Sequence, residues 1–138
     1  MFNLQNFDDI TVVIILYNSQ EVVGNCLDRF SRNQKIIFVD NGSSDDSVSV
    51  VQQLRPRAKI IRNEKNRGYG PAANQALSIA NTTYVLLINP DAIMSSSSLS
   101  ILHQTAENNL SAGIVAPGNG WELHLRGPNG AVYDTDIT

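Results

Sequence analysis

Cysteine and long apolar runs are the two most informative shortages in this sequence. The only cysteine among the 138 residues is Cys26, so an internal disulfide bond is excluded and a reducing compartment is favoured. No apolar run approaches the roughly 20 residues that cross a bilayer. The first nine residues are polar and acidic, unlike a secretory signal peptide. We therefore expect a cytoplasmic protein without a membrane-spanning helix.

Basic residues are also few, with 10 Lys and Arg against 13 Asp and Glu, for a net charge of −3. This balance gives no electrostatic reason to expect nucleic acid as a partner. The basic residues are crowded into one stretch, which contains Arg55, Arg57, Lys59, Arg62, Lys65 and Arg67. Such a cluster can face a phosphate group or an anionic membrane surface, although a solvated face is its more usual role. Peripheral membrane association therefore stays open.

Histidine occurs only twice, at His103 and His124. We expect His103 on an exposed helix face and His124 in an irregular tail. Neither follows Cys26 or an acid at a spacing typical of metal ligands or of an activated nucleophile. The histidines therefore indicate neither a metal site nor a nucleophilic enzyme.

The composition that remains is that of an ordinary globular protein, with 42% hydrophobic and 17% charged residues. The length suits one domain with its own core, and leaves no room for a second. We predict a single domain over residues 1–138, with its core in about residues 10–117. Residues 118–138 show no clear periodicity and are expected to form an irregular tail.

Continuous apolar, β-branched runs predict strands that are buried on both faces of a parallel sheet. These runs are Ile10–Leu16, 36–39, Lys59–Arg62 and Tyr84–Ile88, with a further short strand at 114–116. Segments with helical spacing of apolar residues separate them. The alternation predicts an α/β fold, namely a three-layer α/β/α sandwich with a mostly parallel central sheet.

Sequence signals also predict where the helices begin. Asn18 and Glu21 have the spacing of a capping box for the first helix. Ser43 or Ser44 is expected to cap the second helix, which would carry Asp45 in its first turn. Pro71 is expected at the first position of the third helix, and the serine run 95–98 is expected to cap the fourth.

Asp40 follows the second apolar run directly, which places it at the carboxyl end of a central strand. Ligands of open α/β sheets bind at this edge. A carboxylate there can accept hydrogen bonds from a ribose hydroxyl or a base N–H. Capping of the following loop is an equally favoured role for Asp40 on this stretch alone.

Asn89 and Asp91 follow the fourth strand and flank a rigid proline. Their oxygens are hard ligands of the kind that Mg²⁺ or Mn²⁺ prefers beside phosphate oxygens. The alternative is a simple Asn-Pro-Asp turn. A loop with Gly68 and Gly70 precedes the third helix, and its glycines let the backbone come close to a ligand. The spacing of these glycines is not that of a dinucleotide-binding fingerprint.

Four motifs together resemble the N-terminal part of a family 2 glycosyltransferase with the GT-A nucleotide-sugar-binding fold. They are the segments 12–18, 39–45, 66–74 and 87–92, in the order and spacing of that family. The resemblance implies that Tyr17 and Asp40 hold the nucleoside, while Gly68 and Asn74 shape the nucleotide-sugar cleft. It also places the D-x-D metal motif at 89–91. Asn89 replaces the first acid there, as in rhamnosyltransferase-like members, so Asp91 would be the charged ligand of Mg²⁺ or Mn²⁺.

The resemblance further implies inverting, metal-assisted transfer of a sugar from a UDP- or dTDP-linked donor to a hydroxyl of a saccharide or lipid-linked acceptor, as in polysaccharide biosynthesis. Such an enzyme would be cytoplasmic or at the inner face of the membrane. The family's general base and acceptor-binding residues lie in a half that this chain scarcely contains. Asp134 and Asp136 are candidates only by default, so no catalytic residue is assigned.

Two other classes stay open. The chain can be a non-catalytic sugar-nucleotide-binding or partner-binding module with the same fold. It can also be an unrelated doubly wound domain, such as a flavodoxin-like or receiver domain. A receiver needs acids after its first strand, where this chain has Tyr17 and Asn18.

Overall fold

The computed structural model describes residues 4–116 and the backbone of Leu123–His124. Strands and helices alternate along the chain, as predicted. In order they are β1 (Ile10–Leu16), α1 (Val23–Leu27), β2 (Lys35–Asp40), α2 (Ser47–Leu54), β3 (Lys59–Arg62), α3 (Tyr69–Ile79), β4 (Tyr84–Ile88), α4 (Ser96–Asn108), β5 (Ile114–Val115) and β6 (Leu123–His124). The other residues of the predicted tail, including Asp134 and Asp136, lie outside the described residues.

The central sheet has four parallel strands in the order β3-β2-β1-β4. Leu16 pairs with Asp40, and Asp40 pairs with Arg62, so these three strand ends are level across the sheet. Ile88, the last residue of β4, pairs with Ile14. The short strands β5 and β6 pair antiparallel, and β6 lies beside β4. All four carboxyl ends of the parallel strands therefore share one edge, called the carboxyl edge below.

The alternation of side chains along β1 builds two separate cores. Val12 and Ile14 point into the core shared with α1, α2 and α4, whereas Val13 and Ile15 point into the core shared with α3. Helix α3 packs through small residues that allow close approach to the sheet, namely Ala72, Ala73, Ala76 and Ala80. The predicted three-layer α/β/α sandwich is confirmed. No helix among the described residues is long and apolar enough to cross a membrane.

Two of the predicted helix starts are wrong. Helix α1 begins at Val23 without a side-chain cap, because Asn18 instead accepts hydrogen bonds from the next loop. Helix α2 begins at Ser47, because Asp45 forms a turn before the helix by accepting from the Ser47 amide at 2.9 Å. Neither Ser43 nor Ser44 occupies its N-cap position, which is Asp46.

The predicted starts of α3 and α4 agree more closely with the structure. Ser95 caps α4 by accepting from the amide of Ser98 at 3.1 Å, as expected. Pro71 is the third residue of α3 rather than the first. Its missing N–H still falls in the first turn, where helical amides have no acceptor within the helix.

The expected exposure of His103 is wrong. Its side chain is only 18% exposed, because the Phe7 and Tyr84 rings pack edge-on against it. The imidazole Nε2 also lies 2.7 Å from the Asp9 carboxylate. Asp9 is 94 residues away along the chain, and sequence spacing cannot reveal such a pair.

Candidate functional site

The predicted site residues gather at the carboxyl edge. Tyr17 follows β1, Asp40 is the last residue of β2, and Asp91 is three residues beyond β4. Because β1 lies between β2 and β4, two strand spacings separate Asp40 from the end of β4, which is about 10 Å across the sheet. Asp40 and Asp91 thus lie on opposite sides of β1 at the carboxyl edge. The distance of about 10 Å between the two strand ends is comparable with the length of part of a nucleotide.

Asp40 is the most unusual residue of this edge. It is 3% exposed, and its Oδ1 atom is buried with no hydrogen-bond partner among the described residues. Its backbone carbonyl accepts from the Asn63 amide at 2.9 Å, so the main chain is satisfied while that oxygen is not. A buried carboxylate oxygen normally accepts at least one hydrogen bond. The geometry is that of an acceptor whose donor lies beyond the described residues.

Asn18 connects the loops that follow β1 and β2. Its Oδ1 accepts from the amides of Ser44 at 2.8 Å and Asp45 at 3.3 Å, and its own amide donates to Ser43 Oγ at 3.0 Å. It adopts a positive φ of 49°, which asparagine tolerates better than most residues. The adjoining Tyr17 is 53% exposed, so its ring offers a large aromatic surface at the strand end.

A second asparagine, Asn41, fixes the loop 63–68 against the end of β2. It is 3% exposed, and its Nδ2 donates to Asn66 Oδ1 at 2.9 Å and to the Gly68 carbonyl at 3.1 Å. Its Oδ1 accepts from the Arg67 amide at 3.0 Å. The sequence analysis did not identify this role of Asn41. An asparagine directly after a strand that is predicted to be buried is the signal that would have indicated it.

Two glycines make this arrangement possible. Gly42 has φ 83°, and a Cβ there would lie 2.9 Å from the backbone of Lys65. Any other residue would therefore push the loop 63–68 away from the strand end. Gly68 has φ 86° and occupies the N-cap of α3, which agrees with the expected positive φ. The loop that contains Gly68 thus lies along the carboxyl edge, beside Asp40.

Residues 89–92 form a β-turn in which the amide of Ala92 donates to the Asn89 carbonyl at 3.0 Å. The predicted turn is therefore present, and it leaves the Asn89 and Asp91 side chains exposed. Their amide and carboxylate oxygens fit Mg²⁺ or Mn²⁺, since such ions take few protein ligands beside phosphate. Turn formation and metal ligation do not exclude each other here.

Cys26 lies beneath this turn and donates to the Asn89 carbonyl, with Sγ 3.7 Å from the oxygen. Burial, with a smaller effect of the Asp91 carboxylate, raises the pKa of Cys26 to about 12. The thiol is therefore neutral at physiological pH. It supports the turn and is not a nucleophile.

Two predicted features fall partly outside the site. Asn74 is exposed on α3, six residues and about 9 Å along the helix from Gly68, and its place in the nucleotide-sugar cleft stays a prediction. The basic cluster is divided by β3, because that strand runs from one edge of the sheet to the other. Lys65 and Arg67 belong to the loop 63–68, whereas Arg57 precedes the strand at the opposite edge.

Comparisons with known proteins agree with the fold. The chain is 30% identical over 100 residues to the poly(ribitol-phosphate) beta-glucosyltransferase of Bacillus spizizenii, a match that covers 65% of this chain and 16% of that protein.

Two solved structures share the fold. One is S. aureus TarS 1-349 in complex with UDP-GlcNAc, with a TM-score of 0.68, 21% identity, and coverage of 78% of this chain and 33% of that one. The other is the mannosyltransferase PcManGT from Pyrobaculum calidifontis in complex with GDP-Man and Mn²⁺, with a TM-score of 0.70, 22% identity, and coverage of 78% and 34%. The chain thus spans about a third or less of the length of these three proteins. The sequence model described as "Glycosyl transferase family 2" matches residues 11–125, and the chain therefore belongs to glycosyl transferase family 2.

Proposed function

We propose that this chain is the donor-binding domain of a glycosyltransferase, and that its carboxyl edge holds the nucleoside diphosphate of a nucleotide sugar. The observation that carries the proposal is the buried Oδ1 of Asp40, which has no hydrogen-bond partner in the part of the chain that the structure describes. It lies at the edge where α/β sheets bind ligands. The complexes of the two solved structures with UDP-GlcNAc and with GDP-Man support the ligand class.

Each residue would bind a different part of the nucleotide sugar, according to its position. Asp40 would accept a hydrogen bond from a base N–H or a ribose hydroxyl, which satisfies its buried oxygen. Tyr17 would cover one side of the nucleoside with its exposed ring, since aromatic rings stack on any base. Lys65 and Arg67 are exposed on the neighbouring loop, and their positive charges would favour the diphosphate. Gly68 would let the backbone at the start of α3 come close to that group.

Asn89 and Asp91 would hold a divalent ion, Mg²⁺ or Mn²⁺, with Asp91 as the charged ligand. When bound, such an ion neutralises the negative charge that develops on the departing diphosphate. The mannosyltransferase complex with Mn²⁺ supports this choice. Both residues belong to the turn at 89–92, directly after β4, and both side chains are exposed.

The transfer itself needs a base that takes the proton of an acceptor hydroxyl as it attacks the anomeric carbon. We assign this base, and the residues that bind a saccharide or lipid-linked acceptor, to parts of the protein beyond the described residues. The reaction proposed is inverting transfer, with a UDP- or dTDP-linked sugar as the donor. In this proposal the chain forms one domain over residues 1–138, and it works in the cytoplasm or at the inner face of the membrane.

A thermal-shift screen of UDP-, dTDP- and GDP-linked sugars with Mn²⁺ tests the proposal. A donor at a hundredfold excess over its dissociation constant should add about 2.7 kcal/mol to the free energy of unfolding. Hydrolysis or transfer of the bound sugar would identify an enzyme. Binding without turnover would favour a non-catalytic sugar-nucleotide-binding module. No stabilisation by any nucleotide would refute the proposed role of the carboxyl edge.

A further inference from the structure

Three potential metal ligands meet at the opposite end of the sheet from the nucleotide site. His103 and Glu107 lie one turn apart on α4, and Asp9 lies directly before β1. His103 Nε2 is 2.7 Å from Asp9 Oδ2 and 3.6 Å from Glu107 Oε1, and the three ligand atoms lie within 4.8 Å of one another. These residues are called the His103 cluster below.

The imidazole of the His103 cluster is held in place by its surroundings. The rings of Phe7 and Tyr84 contact it edge-on, with centroid distances of 5.1 Å and 5.5 Å. Asp9 is anchored as well, because its carbonyl accepts from the Tyr84 amide at 2.9 Å. The ligand atoms therefore face each other without a large loss of side-chain freedom on binding an ion.

A simple ion pair accounts for only two of the three groups. A ring nitrogen carries one hydrogen, and at 2.7 Å that hydrogen serves Asp9, which leaves Glu107 without a bond from Nε2. The Glu107 carboxylate therefore lies 3.6 Å from this nitrogen without sharing its hydrogen.

The spacing suits a small tetrahedral ion. Zinc bonds of 2.0–2.2 Å to nitrogen and oxygen place neighbouring ligands about 3.4 Å apart. The 3.6 Å separation is close to this value. The 2.7 Å separation is that of a hydrogen bond, so an ion would have to move His103 Nε2 and Asp9 Oδ2 about 0.7 Å apart. An imidazole nitrogen beside carboxylates is a donor set that favours Zn²⁺ over Mg²⁺.

We propose that the His103 cluster binds one Zn²⁺ ion through His103 Nε2 and the carboxylates of Asp9 and Glu107, with water as the fourth ligand. The ion would join α4 to the start of β1. This site is separate from the proposed nucleotide site, and it neither requires nor tests the proposed function.

Calorimetric titration with ZnCl₂ tests the proposal on protein that carries no histidine tag and has been freed of metal with a chelator. The parent chain should bind one ion at this site, and Zn²⁺ should raise its thermal midpoint. His103→Gln and Glu107→Gln should each weaken binding at least about 10- to 100-fold, which is the cost of losing even an outer-shell partner of a metal. Glu107 is 53% exposed, so Glu107→Gln should fold even if His103→Gln does not.

Glu64→Gln is the matched control, since Glu64 is an exposed acid far from the cluster in sequence and should leave Zn²⁺ affinity unchanged. Asp91→Asn should also keep this zinc binding, which separates the two metal sites. The proposal is wrong if the parent chain does not bind Zn²⁺. It is equally wrong if Glu107→Gln binds Zn²⁺ as tightly as the parent does, because the cluster is then an ordinary ion pair.

Discussion

Asp40→Ala is the substitution that separates a binding role for this carboxylate from a structural one. The side chain is 3% exposed and its Oδ1 has no partner among the described residues, so it contributes little to holding the loop after β2. Its burial opposes folding, because a carboxylate loses its hydration there without a compensating bond. Removal of this group should therefore leave the free energy of unfolding unchanged or raise it.

Nucleotide affinity should respond in the opposite direction. A hydrogen bond to a charged acceptor contributes about 1.5–3 kcal/mol. At 1.4 kcal/mol for each factor of ten, loss of this bond weakens binding roughly 10- to 150-fold. The loss should be the same for UDP with and without Mn²⁺, because Asp40 acts on the nucleoside and lies about two strands away from the metal ligands.

Calorimetric titration with UDP and dTDP, together with urea unfolding, measures both quantities on the same protein. Asp46→Ala is the control: it removes an exposed acid from the same loop, at an N-cap position where the side chain makes no capping bond. If Asp40→Ala binds UDP and dTDP within threefold as tightly as the parent does, Asp40 does not bind the nucleoside. A clear loss of stability in Asp40→Ala would show instead that the carboxylate is structural.

Three further predictions follow from the geometry of the carboxyl edge. Asp91→Asn should abolish the extra affinity that Mn²⁺ gives to a nucleoside diphosphate and leave metal-free binding nearly intact, as measured by the same titrations. In urea unfolding, Gly42→Ala should lower the free energy of unfolding by about 1–3 kcal/mol, because of strain at φ 83° and contact with the Lys65 backbone. Gly24→Ala is the control and should be neutral or stabilising, because the nearest atom to its new Cβ is 3.8 Å away. Burial opposes the charge of Asp45, but hydrogen bonds from Ser47 and from the Gln20 amide more than offset this and lower its pKa below 3.8. The stability that the Asp45 carboxylate contributes is therefore present above pH 3.8 and is lost as pH falls through the lowered pKa. The difference in free energy of unfolding between the parent and Asp45→Asn should accordingly shrink below pH 3.8.

The four strands of the parallel sheet could be predicted almost to the residue, whereas β6 was not predicted. β1, β3 and β4 have the predicted bounds because continuous apolar runs between polar residues have few other ways to bury themselves. β2 is longer by one residue at each end. β1 pairs with it at both Lys35 and Asp40, and β3 also pairs with it at Asp40. The common edge of the site residues then follows from parallel strand direction alone.

Contacts between distant residues could not be predicted in the same way. Asn18 has the local pattern of a helix cap, yet its partners Ser44 and Asp45 are 26 and 27 residues away. His103 has the position of an exposed helical residue, yet it meets Asp9 from the opposite end of the chain. Nothing in a linear sequence shows that the Asp40 carboxylate has an oxygen without a partner. These features depend on how loops meet after the sheet has formed.

Amide hydrogen exchange with and without a UDP-sugar and Mn²⁺ shows whether the nucleotide sugar binds at the carboxyl edge, because it reports where a ligand lies along the chain. Binding there should slow exchange after the ends of β1, β2 and β4 and in the loop 63–68, with no change around the His103 cluster. Binding that leaves these segments unchanged, or protects the amino-terminal ends of the strands instead, would contradict the assignment of the carboxyl edge as the nucleotide site.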